Sequence, residues 1–256
     1  MHHWTRRLFA IAAPLLLTGC LWGPGKFNSD LTLRKDGTFT LDYRGEIVLQ
    51  MPPDATSETW ADTKAKCSDG DKDRPCTKAE LTEQRNAFEK KRKDSEQMAK
   101  MFGLPGLDDA SNRAFAAKLM KYAGWRSVTY RGSGVFDVDY HFVGTSKQDF
   151  LFPALPDNNL IIPFIALRRR ADGSVLVTAP AFTGGSGPMG PAAAGAGEMG
   201  KGGPVSRAVG RFTVITDGEI LTNNSEDGAA PNAVGRQVHW DVGPASNKIP
   251  ETLIRL

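Results

Sequence analysis

The feature that most constrains this fold is an Asp-Gly dipeptide that recurs between runs of alternating apolar and polar residues. It stands at Asp36-Gly37, Asp172-Gly173 and Asp217-Gly218. Asp-Gly favours the tight turns of β-hairpins, because glycine adopts a positive φ without a steric penalty. Each dipeptide therefore predicts a hairpin, and the segment Gly132-Ser133-Gly134 predicts a fourth. Repeated hairpins indicate an antiparallel sheet rather than parallel βαβ units.

The alternating runs beside these turns give the predicted strands. In the first hairpin, which begins at Phe27, Leu31 and Leu33 alternate with polar residues before the turn, and Phe39 and Leu41 do so after it. The other predicted strands pair 125–131 with 135–143, 160–168 with 174–178, and 207–216 with 219–221, and two more cover 237–242 and 252–256.

A charged, helix-rich segment separates the first two hairpins. Thr77-Lys78-Ala79-Glu80 matches a capping box and predicts a helix that ends near Phe102, before Gly103 and Pro105. A second helix is predicted from Asp108 or Ser111 to Gly124, and a further short helix within 54–66. The expected fold class is therefore α+β, an antiparallel β-sheet of several Asp-Gly hairpins with a helical insertion, residues 54–124, packed on it.

Residues 183–204 are rich in glycine and proline and predict a flexible loop, since such a composition cannot pack a core. The loop contains two GxGxxG strings, but prolines interrupt it and no helix follows, so no dinucleotide cofactor is expected. We expect residues 20–256 to form a single domain that contains this loop as an excursion between strands.

The N-terminus has the pattern of an export signal. Arg6 and Arg7 precede an apolar run, Leu8–Leu17, whose ten residues would rise only about 15 Å as a helix, about half of a bilayer core. The run ends in Leu17-Thr18-Gly19-Cys20, which resembles the lipobox of bacterial lipoproteins. That resemblance implies acylation of the Cys20 thiol and removal of residues 1–19. An ordinary signal peptide with an incidental cysteine is the alternative, and the adjacent arginines leave twin-arginine export open beside the general route.

The net charge and the cysteines limit which partners and which kinds of site are expected. Removal of the leader leaves 30 basic and 29 acidic side chains, so the net charge falls from +3 to +1 and no nucleic-acid partner is indicated. Outside the cytoplasm the two remaining cysteines, Cys67 and Cys76, predict a disulfide, with two free thiols as the alternative. Two cysteines without companion ligands cannot form a tetrahedral zinc site.

The side chains that suggest chemistry are better explained by a solvated surface. Asp137, Asp139 and His141 alternate along one strand, but the outer two Cα atoms would lie about 13 Å apart, too far for one metal ion to bind all three. Two of them with further ligands from elsewhere in the chain are the alternative. His239 and Asp241 repeat this pattern, and the basic run Lys90–Lys93 fits an exposed helix face, with contact to anionic lipid as its alternative. No catalytic, metal-binding or cofactor-binding residue is predicted, and an enzyme is unsupported.

The two ends of the chain resemble the LppM-type family of bacterial lipoproteins. The stretch CLWGPGKFNSDLTLRKDGTF gives a cysteine, a short spacer, a strand and an Asp-Gly turn, and GRQVHWDV gives a late strand with a central tryptophan. The resemblance implies an α+β envelope domain that binds a lipid or glycolipid, and it contributes no catalytic residue.

Together these features predict a non-enzymatic lipoprotein, anchored through Cys20 in the outer membrane and facing the periplasm, since Leu21 rather than aspartate follows the cysteine. A seven-residue spacer from Cys20 to Phe27 would hold the domain at the headgroups, with Leu21 and Trp22 entering the interface. Its expected partners are the membrane and a lipid-like ligand. The alternatives are an assembly protein that binds an envelope partner through the helices and the glycine loop, and an unrecognised hydrolase.

Overall fold

The computed structural model describes residues 22–49, 60–69, 72–101, 109–154, 163–183 and 207–256. The chain forms two compact units, which we describe separately. The first combines Met1–Gln50 with Ala116–Leu256, and the second comprises Met51–Phe115, which overlaps the insertion predicted over 54–124. The predicted lipidation residue Cys20 and most of the glycine-rich segment 183–204 lie outside the described residues.

The elements follow in chain order: β1 (Trp22–Leu33), β2 (Thr38–Leu49), a 3-10 turn (Asp62–Lys64), β3 (Cys67–Asp69), β4 (Lys72–Arg74), α1 (Lys78–Met101), α2 (Asp109–Leu119), β5 (Trp125–Gly132), β6 (Val135–Thr145), β7 (Phe150–Phe152), β8 (Ile165–Arg169), β9 (Val175–Thr178), β10 (Val209–Thr216), β11 (Glu219–Asn223), β12 (Ala230–Asn232), β13 (Gly235–Val242) and β14 (Glu251–Arg255). The predominance of strands with two α-helices among the described residues is consistent with the α+β class.

The first unit contains two sheets. A seven-stranded sheet has the order β12-β13-β10-β1-β2-β6-β5, and a five-stranded sheet has the order β11-β14-β9-β8-β7. Strands β1 and β10 pair in parallel, and the other pairings among the described strands are antiparallel. The turns predicted a purely antiparallel sheet, and this prediction is wrong for one pair of strands, β1 and β10.

The dipeptide Asp217-Gly218 does not close a hairpin, which corrects the sequence prediction. It joins β10 of the seven-stranded sheet to β11 of the five-stranded sheet. Both edges of β10 are already occupied, by β1 and β13, so β11 pairs with β14 instead. A Cβ atom on Gly218 would lie 2.7 Å from the Arg255 carbonyl oxygen, so glycine is needed for close approach as the chain changes sheets.

Aromatic rings fill the space where the two sheets of the first unit face each other. Phe27 of β1 stacks on Phe182 with ring centroids 4.1 Å apart, and Tyr43 of β2 contacts Phe152 of β7 at 5.0 Å. Phe212 of β10 meets the same Phe182 ring at 5.4 Å. These side chains are almost fully buried. Burial of this apolar area is the main stabilising term for the unit.

The second unit is built around the start of α1. Thr77 and Glu80 form the predicted capping box: the Thr77 N–H donates to the Glu80 carboxylate at 2.8 Å, and the Glu80 N–H donates to the Thr77 hydroxyl at 3.3 Å. The Trp60 and Phe88 rings pack at 5.8 Å, which holds the 3-10 turn region against the helix. The short hairpin β3–β4 was not predicted from the sequence.

Several element boundaries differ from the sequence predictions, and two of them affect the interpretation of the fold. Helix α2 ends at Leu119 rather than at Gly124, and tighter turns follow it, in which the Lys121 and Tyr122 N–H groups donate to the carbonyls three residues earlier. Strand β1 begins at Trp22, five residues earlier than the predicted start at Phe27. The alternation is broken there by a register shift between Pro24 and Phe27, which hides the start of the strand from a period-two pattern.

Candidate functional site

A polar cleft lies at one end of the first unit, where turns from both sheets meet. It has a volume of about 260 Å³ and is lined by Lys35, Asp36, Gly37, Arg169, Asp172, Gly173, Arg255 and Leu256. The first three belong to the turn between β1 and β2, the next three to the end of β8 and the turn before β9, and the last two to the end of β14. We call it the polar cleft.

The two aspartates of the polar cleft are used to build its walls. Asp36 accepts hydrogen bonds from the Thr38 N–H at 2.8 Å and the Thr38 hydroxyl at 2.6 Å. Asp172 accepts the equivalent pair from Ser174, at 3.0 and 2.6 Å. In each case the hydroxyl contributes most to lowering the pKa of the carboxyl group below its usual value. Both carboxylates therefore remain ionised and hold their turns in place.

The basic side chains of the polar cleft differ in their partners. Arg255 is paired with Glu219 at 2.7 Å, and the Lys35 backbone N–H donates to the Asp217 carboxylate at 2.7 Å. Within the described ranges, no ion pair involves the Lys35 ammonium or the Arg169 guanidinium. These two exposed cations can attract an anionic group, although the ionised carboxylates of Asp36 and Asp172 line the same cleft. The cleft places no nucleophile beside a general base.

A row of polar side chains crosses the outer face of the seven-stranded sheet. Strand register places five residues side by side on β13, β10, β1, β2 and β6, in the order His239, Thr213, Asp30, Asp42, His141. His141 Nδ1 lies 2.8 Å from Asp42, and His239 Nε2 lies 3.1 Å from Asp227. Each histidine thus has its own carboxylate. No group of three or more metal-binding side chains occurs in the part of the chain that the structure describes.

The alternating residues of β6 form a solvated face, as the sequence predicted. Asp137 pairs with Arg131 at 2.5 Å, Asp139 pairs with Arg44 at 3.5 Å, and His141 pairs with Asp42. The intervening side chains Phe136, Val138 and Tyr140 are buried in the interior. Three different partners hold the three polar groups, so they do not converge on one ion.

The structure contains a disulfide between Cys67 and Cys76, with their Cα atoms 5.2 Å apart. It bridges β3 to the segment before α1, and the Gln84 amide contacts the Cys67 sulfur at 3.4 Å. The basic run Lys90–Lys93 lies on exposed positions of α1. None of the helices described here is both long and apolar enough to cross a membrane.

The side chain of Trp22 is not available to a membrane interface, which corrects one expectation. It is 3% exposed, and its ring packs 5.4 Å from that of Phe136. The seven-residue spacer expected between Cys20 and Phe27 is also wrong, since Trp22 and Phe27 both lie within β1. The polar cleft was not predicted from the sequence either, although the basic residues beside two of the Asp-Gly turns were a usable signal.

Comparisons with known proteins give little further information. No protein-family model matches the chain, and no curated protein matches it. Its structure is similar to the NMR structure of the folded domain of LppM from Mycobacterium tuberculosis, with 14% sequence identity over 93% of this chain and 91% of that chain, and a TM-score of 0.29. At this level of similarity no residue role and no family membership is transferred to the chain.

Proposed function

We propose that this protein is a lipid-anchored envelope protein whose folded units are held directly at a bilayer surface. Residues 1–19 act as the export signal, and Cys20 carries the acyl chains. The observation that best supports the proposal is the lipobox-like string Leu17-Thr18-Gly19-Cys20 at the end of the apolar run. The folded unit follows closely, since β1 already includes Trp22.

The disulfide supports a location outside the cytoplasm. Structural disulfides are rare where glutathione and thioredoxin keep thiols reduced, and they persist in the periplasm and at cell surfaces. The bridge between Cys67 and Cys76 is therefore in keeping with export. We further propose the outer membrane of a Gram-negative cell, facing the periplasm, because Leu21 follows the modified cysteine in the sequence.

The role at the membrane is proposed to be binding rather than catalysis. The polar cleft offers two cations without an ion pair among the described residues and is suited to an anionic group on a ligand or partner. A lipid or lipid-like ligand remains a prediction, and an acyl chain entering between the sheets would have to displace rings such as Phe152 and Phe182. Native mass spectrometry of the purified protein tests this: a co-purifying lipid supports it, and an unliganded protein contradicts it.

Metabolic labelling with a palmitate analogue tests the anchor. The wild-type protein is expected to incorporate the label and to fractionate with membranes, whereas Cys20→Ala is expected to lose both properties. The matched control is the double variant Cys67→Ser and Cys76→Ser, which removes two other cysteines and should keep the label. Unlabelled wild-type protein, or membrane fractionation unchanged in Cys20→Ala, would exclude the proposal.

The alternative function, assembly with an envelope protein through the helices and the glycine-rich segment, makes a different prediction. Crosslinking in cells would then capture a partner from the wild-type protein and lose it when residues 183–204 are deleted. An unchanged set of crosslinked partners in the deletion variant would contradict it.

A further inference from the structure

The residue proposed to carry the lipid is joined almost directly to a fixed strand. Consecutive Cα atoms are about 3.8 Å apart, so the Cα atom of Cys20 lies at most about 7.6 Å from that of Trp22. Trp22 is paired with Leu49 of β2 and is buried against Phe136. A lipid on Cys20 would therefore be attached to the end of a packed sheet with only Leu21 between them.

The same end of the sheet carries the turn between β5 and β6. The Leu49 N–H donates to the Gly134 carbonyl at 2.7 Å, and Val48 lies opposite Val135. A Cβ atom on Gly134 would lie 3.0 Å from the Leu49 carbonyl oxygen, so the turn is closely packed on the end of β2. Trp22, Leu49 and the turn 132–134 together form what we call the anchor end.

The polar cleft lies at the opposite end of the same strands. Strand β1 runs for 12 residues from the anchor end to Leu33, and the turn that contributes Lys35 follows it. At about 3.3 Å per residue the strand spans about 36 Å. The length of β1 therefore places the cleft far from the attachment point, at a distance similar to the thickness of a bilayer core.

The first unit could instead rest on the bilayer with the outer face of its seven-stranded sheet, but this would be unfavourable on an anionic membrane. Asp30 and Asp42 lie directly opposite each other at the middle of that face. The nearby Arg44 and Arg211 are already paired with Asp139 and Asp241. Turning this face toward the bilayer would bring carboxylates onto anionic headgroups, whose negative surface potential repels them.

We propose that the anchor end rests on phospholipid headgroups and that the polar cleft is presented on the side of the unit away from the bilayer. This orientation rests on the proposed acylation of Cys20. Exposed Arg131 and Ser133 at the β5–β6 turn then face the headgroups, and the cleft faces the aqueous compartment, where it is open to a soluble or opposing-membrane partner.

The orientation is tested with single-cysteine variants of the full acylated protein in vesicles of phosphatidylcholine and phosphatidylglycerol that carry nitroxide-labelled headgroups. Ser133→Cys places a fluorophore at the anchor end, and Ala171→Cys places it beside the cleft; both positions are exposed. The remaining cysteines are acylated or in the disulfide. We expect several-fold stronger quenching at position 133 than at position 171. Equal quenching, or stronger quenching at 171, would overturn the orientation.

A second variant tests whether the short link between Cys20 and β1 sets the orientation of the first unit at the membrane. Insertion of a flexible Gly-Ser segment between Leu21 and Trp22 is expected to preserve vesicle flotation while reducing quenching at position 133. Unchanged quenching in the insertion variant would show that another contact sets the orientation and would overturn the inference. The intact mass of the protein is measured first: an unacylated product refutes the proposed function, whereas an acylated product with equal quenching refutes only the orientation.

Discussion

The Tyr43 side chain shows how a single polar atom is accommodated inside the aromatic interior. Its ring is fully buried, and its hydroxyl donates to the backbone carbonyl of Glu46 at 2.8 Å. Burial raises the pKa of the phenol well above its usual value, so the group stays protonated and remains a donor. The hydrogen bond crosses the irregular part of β2 next to Gly45, which has φ +154°.

Removing only this hydroxyl is expected to destabilise the first unit. Tyr43→Phe keeps the ring but leaves the Glu46 carbonyl without this donor, which should lower the free energy of unfolding by about 1–2 kcal/mol. Tyr122→Phe is the control, because Tyr122 is 44% exposed. Urea denaturation of both variants measures the difference. Equal stability of the two variants would mean that the buried hydrogen bond contributes nothing net.

Glu80 is a residue at which the electrostatics of the helix start can be tested by pH. Arg74 binds its carboxylate through two nitrogens, at 2.6 and 2.9 Å, and Thr77 adds the capping bonds. The Arg74 hydrogen bonds are the largest cause that lowers the Glu80 pKa, from 4.5 to about 2. A lowered pKa stabilises the folded state above the unfolded value, and this contribution disappears as pH falls from about 4.5 to about 2.

We therefore expect the second unit of the wild-type protein to lose stability across that pH range. Glu80→Gln should be less stable at neutral pH and should show a smaller change on acidification. The Glu80 side-chain carboxyl signal in NMR gives the midpoint, and Glu83→Gln, an exposed position on the same helix, should behave as wild type. A Glu80 midpoint near 4.5 would contradict the role of Arg74.

At the scale of elements, the parallel pairing of β1 with β10 depends on close backbone approach. Gly210 lies opposite Phe27, and a Cβ atom on it would lie 1.9 Å from the Phe27 carbonyl oxygen. The obstructing atom belongs to the backbone of a central strand and cannot move without disturbing the pairing on both sides. The fit between these two strands is thus set by one residue that has no side chain.

Gly210→Ala is accordingly expected to lower the free energy of unfolding by about 1–3 kcal/mol, the range seen when extra methyl groups are forced into packed regions. Gly243→Ala is the matched control, since nothing lies within 4 Å of its added Cβ atom. We expect the control to change stability by less than about 0.5 kcal/mol. The measurement is chemical denaturation, and equal losses in both variants would contradict the steric explanation.

The elements that the sequence predicts well are those with a local signal. The alternation over Phe39, Leu41 and Tyr43 identifies β2, and the Thr77–Glu80 capping box identifies the start of α1. The pairing of β11 was not predictable in this way, because Asp217-Gly218 has the same local signal as a true hairpin turn and the partner strand β14 is remote in sequence. Three-residue strands such as β7 and β12 are too short to show a period.

The candidate site was harder to predict for a related reason. Its walls come from the turn after β1, the turn after β8 and the end of β14, which only the packing of two sheets brings together. The sequence does identify Lys35-Asp36-Gly37 as a turn, but it carries no information on which other turn will lie beside it. The prediction of lipidation at Cys20 is the opposite case, because its signal is entirely local and precedes the described residues.

At the scale of the whole molecule, the first unit is assembled from two separated stretches of chain. Strands β1 and β2 occupy central positions in the seven-stranded sheet, flanked by β10 on one side and β6 on the other. The intervening stretch Met51–Phe115 forms a compact unit of its own. The sheet therefore requires the N-terminal stretch for its hydrogen bonding, whereas none of the strands described within 51–115 pairs with it.

Replacing residues 51–115 with a flexible Gly-Ser linker is thus expected to leave the first unit folded. The variant should retain β-type circular dichroism and a cooperative unfolding transition, with slow amide exchange in β1 and β2, because their partners β10 and β6 remain. Deletion of 22–49 is the contrasting variant: it removes the two central strands, exposes unpaired edges on β6 and β10, and should abolish the transition. If the linker variant also fails to unfold cooperatively, the sheet depends on the second unit and the two cannot be treated as separate folding units.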